Sequence, residues 1–124
     1  MTLDALHSTV RYVGLALLAL GITFWTGHAT ALVPLHMLLG LLLVLALWGL
    51  AWQAGRAGVV AGFVGFVYFW GFVVLALGLT QAKLVPGGAH WIVQLLHLLA
   101  GLLAIGQGEG LYYRARRLTH MVPA

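Results

Sequence analysis

Leu18-Ala19-Leu20-Gly21-Ile22-Thr23, with His36-Met37-Leu38-Leu39-Gly40 following after twelve residues, is nearly restated further along the chain. The second version is Leu75-Ala76-Leu77-Gly78-Leu79-Thr80, with His97-Leu98-Leu99-Ala100-Gly101 following after sixteen. His36 matches His97 and Gly40 matches Gly101 at an offset of 61, while Gly21 matches Gly78 and Thr23 matches Thr80 at 57. Each block sets one histidine, with a glycine four residues on, inside sequence apolar enough for lipid. A histidine in hydrocarbon is costly and marks a task. Two of them related by duplication predict a pair of ligands for one central group.

The composition around these blocks points the same way. Of 124 residues, 63% are hydrophobic and only 6% charged, against about 25% charged in an ordinary soluble domain. A soluble fold of this length buries too little of its surface to hide so much apolar side chain. Lipid is the expected solvent. The chain has no cysteine, which excludes disulfides, iron–sulfur clusters, thiolate catalysis and covalent haem attachment. Six Lys and Arg against two acids give a net charge of +4. No basic and aromatic residues interleave as a nucleic-acid surface would require, so this excess is read as membrane orientation.

Four stretches are long enough to cross a ~30 Å core, which takes about 20 helical residues: Ser8–Thr26, Ala31–Ala54, Val59–Ala82 and His90–Tyr113. Turn chemistry separates them at Thr26-Gly27-His28, at Ala54-Gly55-Arg56-Ala57-Gly58 and at Pro86-Gly87-Gly88. Pro34 suits a first helical turn, where a missing N–H is harmless. Short connections make neighbouring helices antiparallel. The expected fold is an all-α, up-down four-helix bundle integral to the membrane, one domain over residues 1–124. It divides into tandem two-helix repeats, about 8–56 and about 59–117, with a pseudo-twofold axis along the membrane normal. Ala29-Thr30-Ala31 looks like a signal-peptide cleavage site, but the positive flank is only Arg11 and the stretch pairs with an ordinary span, so retention is expected.

Arg11, Arg56, Arg114, Arg116 and Arg117 fall on one side of the bundle and Lys83 on the other. The positive-inside rule then places both termini in the cytoplasm, with a bacterial or archaeal inner membrane as the expected location. His28, His36, His90 and His97 lie in the outer half.

Such symmetry faces His36 and His97 across the axis at equal depth, an arrangement suited to one b-type haem with an imidazole on each side of the iron. Gly40 and Gly101 share a helix face with these histidines and leave room for a macrocycle. Gly21 and Gly78 are candidates to clear its edges. Two axial imidazoles leave no open iron position, which favours electron transfer over oxygen chemistry. His28 and His90 form a looser pair that could meet haem propionates, sit at the interface, or join His36 and His97 in a copper or zinc site. Lys83 could also meet propionates. The plainer reading is that the histidines pack and the glycines bring helices together.

Glu109, about 18 Å from His97 at 1.5 Å per residue, is either a proton or quinone site or an ion-pair partner of Arg56 or Arg11. Trp25 and Trp91 suit an outer aromatic belt, and Tyr112 and Tyr113 an inner one. Val67-Tyr68-Phe69-Trp70 either flanks a porphyrin or packs. His7 and His120 read as solvated. Gly62, Gly65 and Gly71 offer a close-packing face on the third helix, so a homo-oligomer or a place in a larger complex is expected.

A histidine on helix two, another on helix four and about sixty residues between them resemble one four-helix half of a haem A synthase, over roughly Val10 to Tyr113. Val33 stands where that family carries its catalytic glutamate, and Met37 where an arginine often follows the histidine. The resemblance thus implies a shared haem-holding architecture rather than haem A synthesis. The pattern is also similar to small bis-histidine membrane cytochromes b, including b561-like proteins. The expected function is a non-catalytic membrane cytochrome that passes single electrons, with a quinone or a periplasmic acceptor as partner. Two alternatives stand beside it: a structural or assembly subunit of a membrane complex, and a histidine-based metal-binding membrane protein without haem.

Overall fold

The computed structural model describes residues 1–121. Four long helices run in order: α1 (Leu3–Trp25), α2 (Val33–Arg56), α3 (Ala61–Thr80) and α4 (His90–Met121). Single 3-10 turns at Thr30–Leu32 and Gln81–Lys83 lie in the first and third connections. All four helices are long and apolar enough to cross a membrane.

The ends follow local chemistry. Thr2 caps α1 by accepting the Ala5 N–H at 3.1 Å, and Asp4 occupies the first turn, where a negative charge suits the helix dipole. These polar signals start α1 at Leu3, five residues before the apolar stretch begins. Pro34 sits in the first turn of α2, as its sequence position implies. At the far end, Arg114, Arg116, Arg117 and His120 are good company for a helix C-terminus, and α4 continues to Met121 rather than stopping at Tyr113.

Two exits share one cap. After α2, Gly58 takes φ +97°, its N–H bonds the Gly55 carbonyl at 3.1 Å, and the Val59 N–H bonds the Ala54 carbonyl at 3.0 Å. After α1, Gly27 takes φ +80°, with Gly27 N–H to Phe24 at 2.9 Å and His28 N–H to Thr23 at 3.1 Å. Both are Schellman closures with glycine in the left-handed position. Gly58→Ala is expected to destabilise the protein by about 1 kcal/mol, readable as a lower thermal midpoint in detergent.

Helices alternate in direction, which brings both ends of the described chain to one end of the bundle. Leu6 of α1 lies against Gly49 of α2, and Gln53 Nε2 donates to the Met1 carbonyl at 2.7 Å. α1 and α3 each pack against both α2 and α4, which also touch across the diagonal. Val10, Val44, Leu47, Leu50, Val67 and Leu111 are the largest fully buried side chains. They close the half nearer the termini. Close approaches replace side chains elsewhere: a Cβ on Gly108 would come within 2.7 Å of Val10, and one on Gly14 within 2.7 Å of Ile105.

Indole and phenol groups tie helices to backbone. Trp48 Nε1 donates to the Tyr68 carbonyl at 3.2 Å while Tyr68 Oη donates to the Trp48 carbonyl at 3.3 Å, locking α2 to α3. Trp70 Nε1 donates to Ala100 at 3.0 Å, tying α3 to α4. Tyr68 and Trp70 of the aromatic run on α3 therefore pack against neighbouring helices, while Phe69 faces outward. The outer surface is apolar all round, with Leu38, Trp52, Phe69, Phe72 and Leu79 exposed, a surface compatible with lipid.

Near the termini, Arg11 makes a two-point ion pair with Glu109, Nε to Oε1 at 3.0 Å and Nη2 to Oε2 at 3.1 Å. His7 adds Nε2 at 3.0 Å from Oε2 and stacks on Tyr112 at 3.8 Å between centroids. Tyr112 in turn donates to Asp4 at 2.7 Å. The early start of α1 turns His7 inward, so it is buried rather than solvated; His120 is exposed. Of the readings open for Glu109, the structure supplies the ion pair with Arg11. Glu109→Gln is expected to lower the thermal midpoint by several degrees, because it leaves a buried imidazole and a guanidinium without their shared carboxylate. Circular dichroism melts of the two proteins in the same detergent check this.

Candidate functional site

At the end of the bundle away from the termini the helices part around a cleft of about 820 Å³, lined from all four. Its walls are mostly aliphatic, with Leu17 and Leu18 from α1, Leu43 from α2, Val74 from α3 and Leu98 from α4 among them. Into this apolar space α2 presents His36 and α4 presents His97.

The two rings face each other. Their centroids lie 6.3 Å apart with planes inclined by 55°. An imidazole nitrogen bonds a metal at about 2 Å and sits roughly 1 Å from its ring centre, so two axial rings on one metal are about 6 Å apart. Rotation about the shared axis leaves the angle between planes free. Both Nδ1 atoms are buried without a hydrogen-bond partner among the described residues. An orphaned buried polar atom costs about 1–3 kcal/mol, so the chain by itself leaves this pair unsatisfied.

The glycines divide into two kinds. A Cβ on Gly21 would lie 3.7 Å from His36 Cε1, and one on Gly78 would lie 3.5 Å from His97 Cε1. The same relation thus occurs once in α1–α2 and once in α3–α4. These two glycines lie beside the imidazoles and also line the cleft. Gly40 and Gly101 also line the cleft, and a Cβ on either would meet nothing within 4 Å. They hold open the space one turn below each histidine. Phe24 completes one side, with its ring edge-on to His36 at 5.4 Å between centroids.

The second histidine pair separates. His90 lines the cleft, with Nδ1 3.1 Å from the Leu84 carbonyl. His28 is not in the lining; its N–H closes the α1 cap and its Nδ1 lies 3.2 Å from Thr26 Oγ1. Lys83 is exposed in the connection between α3 and α4, also outside the lining. Among the described residues no three His, Asp or Glu side chains gather into a group that could hold a metal ion.

Two polar residues in the lining escaped the sequence reading: Gln81, just beyond α3, and Gln94, one turn before His97. The signal for Gln94 was available, since an uncharged polar residue in an apolar stretch shares the helix face of a histidine three residues on.

The site fits a flat macrocycle held by two imidazoles: an apolar cleft, opposed rings at a metal-bridging separation, and open space over two glycines. Comparison with family models, with curated proteins and with solved structures finds no match to the chain.

Proposed function

We propose that the chain is an integral membrane b-type cytochrome that holds one haem b between His36 and His97 and passes single electrons. The observation that carries this reading is the opposed imidazole pair, 6.3 Å apart in an apolar cleft. The matching contacts of Gly21 with His36 and Gly78 with His97 support the tandem two-helix repeat and its pseudo-twofold axis along the membrane normal.

The chemistry a haem supplies there is a one-electron couple. His36 and His97 would be its two protein ligands, which suits electron transfer rather than oxygen binding. Leu17, Leu18, Val74 and Leu98 keep water from the rings. The closed core beneath, with Leu47 and Leu111 fully buried, confines exchange to the end that holds the cleft. A quinol or a periplasmic protein would then meet the chain at that end, alone or within a larger redox complex. Exposed apolar side chains on every helix suit lipid, and Arg56, Arg114, Arg116 and Arg117 near the termini suit a cytoplasmic face. This reading keeps the resemblance of the sequence to one four-helix half of a haem A synthase and to b561-like cytochromes.

The test is spectroscopic. Purified from haem-replete cells, the protein should be red, with a sharp Soret band and a narrow reduced alpha-band. A colourless preparation that stays colourless with excess haem overturns the proposal and leaves a structural subunit as the better account.

A further inference from the structure

The mouth of the cleft is not symmetric, although the histidines and glycines within it come in matched pairs. Applying the offsets of 57 and 61 from the sequence blocks, Gln81 falls opposite Phe24 and Gln94 opposite Val33. All four of these residues line the cleft. One half of the mouth therefore offers a phenyl ring and an isopropyl group where the other offers two carboxamides. Gln53 is hydrogen-bonded to the Met1 carbonyl and His90 to the Leu84 carbonyl, whereas Gln81 and Gln94 make no side-chain hydrogen bond among the described residues. Each amide keeps two N–H donors free.

His90 does not duplicate them. A carbonyl only accepts, so the contact with Leu84 puts a proton on Nδ1 and engages that N–H. The amide donors in the cleft mouth are the two glutamines, and Trp25 brings one indole N–H on the Phe24 side.

We infer that Gln81 and Gln94 receive the carboxylate edge of the porphyrin, and that this one-sided polarity selects a dicarboxylate macrocycle and fixes which way round it sits. The inference rests on the haem reading and adds an orientation to it. In the opposite orientation the carboxylates would face Phe24 and Val33, where they would lose water and find the Trp25 indole N–H in place of two carboxamides. Hydrogen bonds to an ionised acceptor in a dry site are the stronger kind, so a neutral amide suffices.

The experiment titrates apoprotein in nanodiscs with protohaem and, separately, with its dimethyl ester, following the low-spin Soret band. The native protein should bind the free acid at least about 10-fold more tightly than the ester. In the double variant Gln81→Leu, Gln94→Leu that ratio should fall to near one, with the low-spin spectrum of the ester complex retained. Gln94→Glu, nearly isosteric, should push the ratio below one by opposing two carboxylates. Unaltered helical circular dichroism and retained ester binding show that both variants fold. If the native ratio is already near one, or survives both variants, the inference is wrong while the low-spin spectrum still upholds the haem site. If neither porphyrin gives a low-spin spectrum with native protein, the haem reading itself falls and takes this inference with it.

Discussion

His36→Ala and His97→Ala should each abolish the low-spin spectrum, because each would remove one of the two proposed haem ligands. Losing an outer-shell partner of a metal ligand typically costs 10–100-fold in affinity, and losing the ligand itself should exceed that. Whatever haem remains would be bound by a single imidazole, and its spectrum should turn high-spin. Both substitutions also remove a buried ring with an orphaned Nδ1, so the empty variants should melt no earlier than the empty native protein. That separates a ligand from a packing residue, whose deletion would lower stability instead. Replacing His36 by Gly and adding free imidazole should restore the low-spin band, since the vacated space is ring-sized. His28→Ala is the control: its ring lies by the α1 cap with Thr26, and the spectrum should not change. If His28→Ala bleaches the protein and His36→Ala does not, the ligand assignment is wrong.

The parts of this arrangement that could be read in the sequence are those carried by spacing. Two histidines at equal depth follow from the offset between the blocks, and Gly27, Gly58 and Gly87 fall at the breaks where the backbone takes positive φ. What escaped reading depends on rotation about the helix axis. In helices this uniformly apolar no polar stripe marks the inner face, so sequence alone cannot say which way a side chain points. His7 illustrates the point: α1 had to start at Leu3 before that ring could face Glu109 and Tyr112. Gln81 went unread for the same reason, and so did the division of labour among the glycines, whereas the spacing of Gln94 from His97 was there to be read. Helix ends outside the apolar stretches were invisible to a hydropathy argument, since Thr2 and the basic tail of α4 set them through capping and dipole chemistry.

That division of labour gives the second large effect. Gly40→Leu or Gly101→Leu should eliminate haem binding while leaving the bundle intact or more stable. A Cβ at either position meets nothing within 4 Å, so the new side chain displaces no neighbour and projects into the cleft. Glycine inside a helix costs about 0.5–1 kcal/mol relative to alanine. Filling the cleft also removes apolar surface from water, so the empty variant should melt at or above the native temperature. The same change at Gly108, where a Cβ would come within 2.7 Å of Val10, should lower the melting temperature clearly, because overpacking a closed core costs about 1–3 kcal/mol or more. The contrast between positions on one helix is what discriminates. A bundle whose glycines only bring helices together would be destabilised by leucine at Gly101 as well as at Gly108. A cradle for a flat ligand tolerates the first and loses its colour. Gly101→Leu protein that still binds haem with native affinity would mean that the macrocycle does not lie over that glycine, and the placement between His36 and His97 would have to be abandoned.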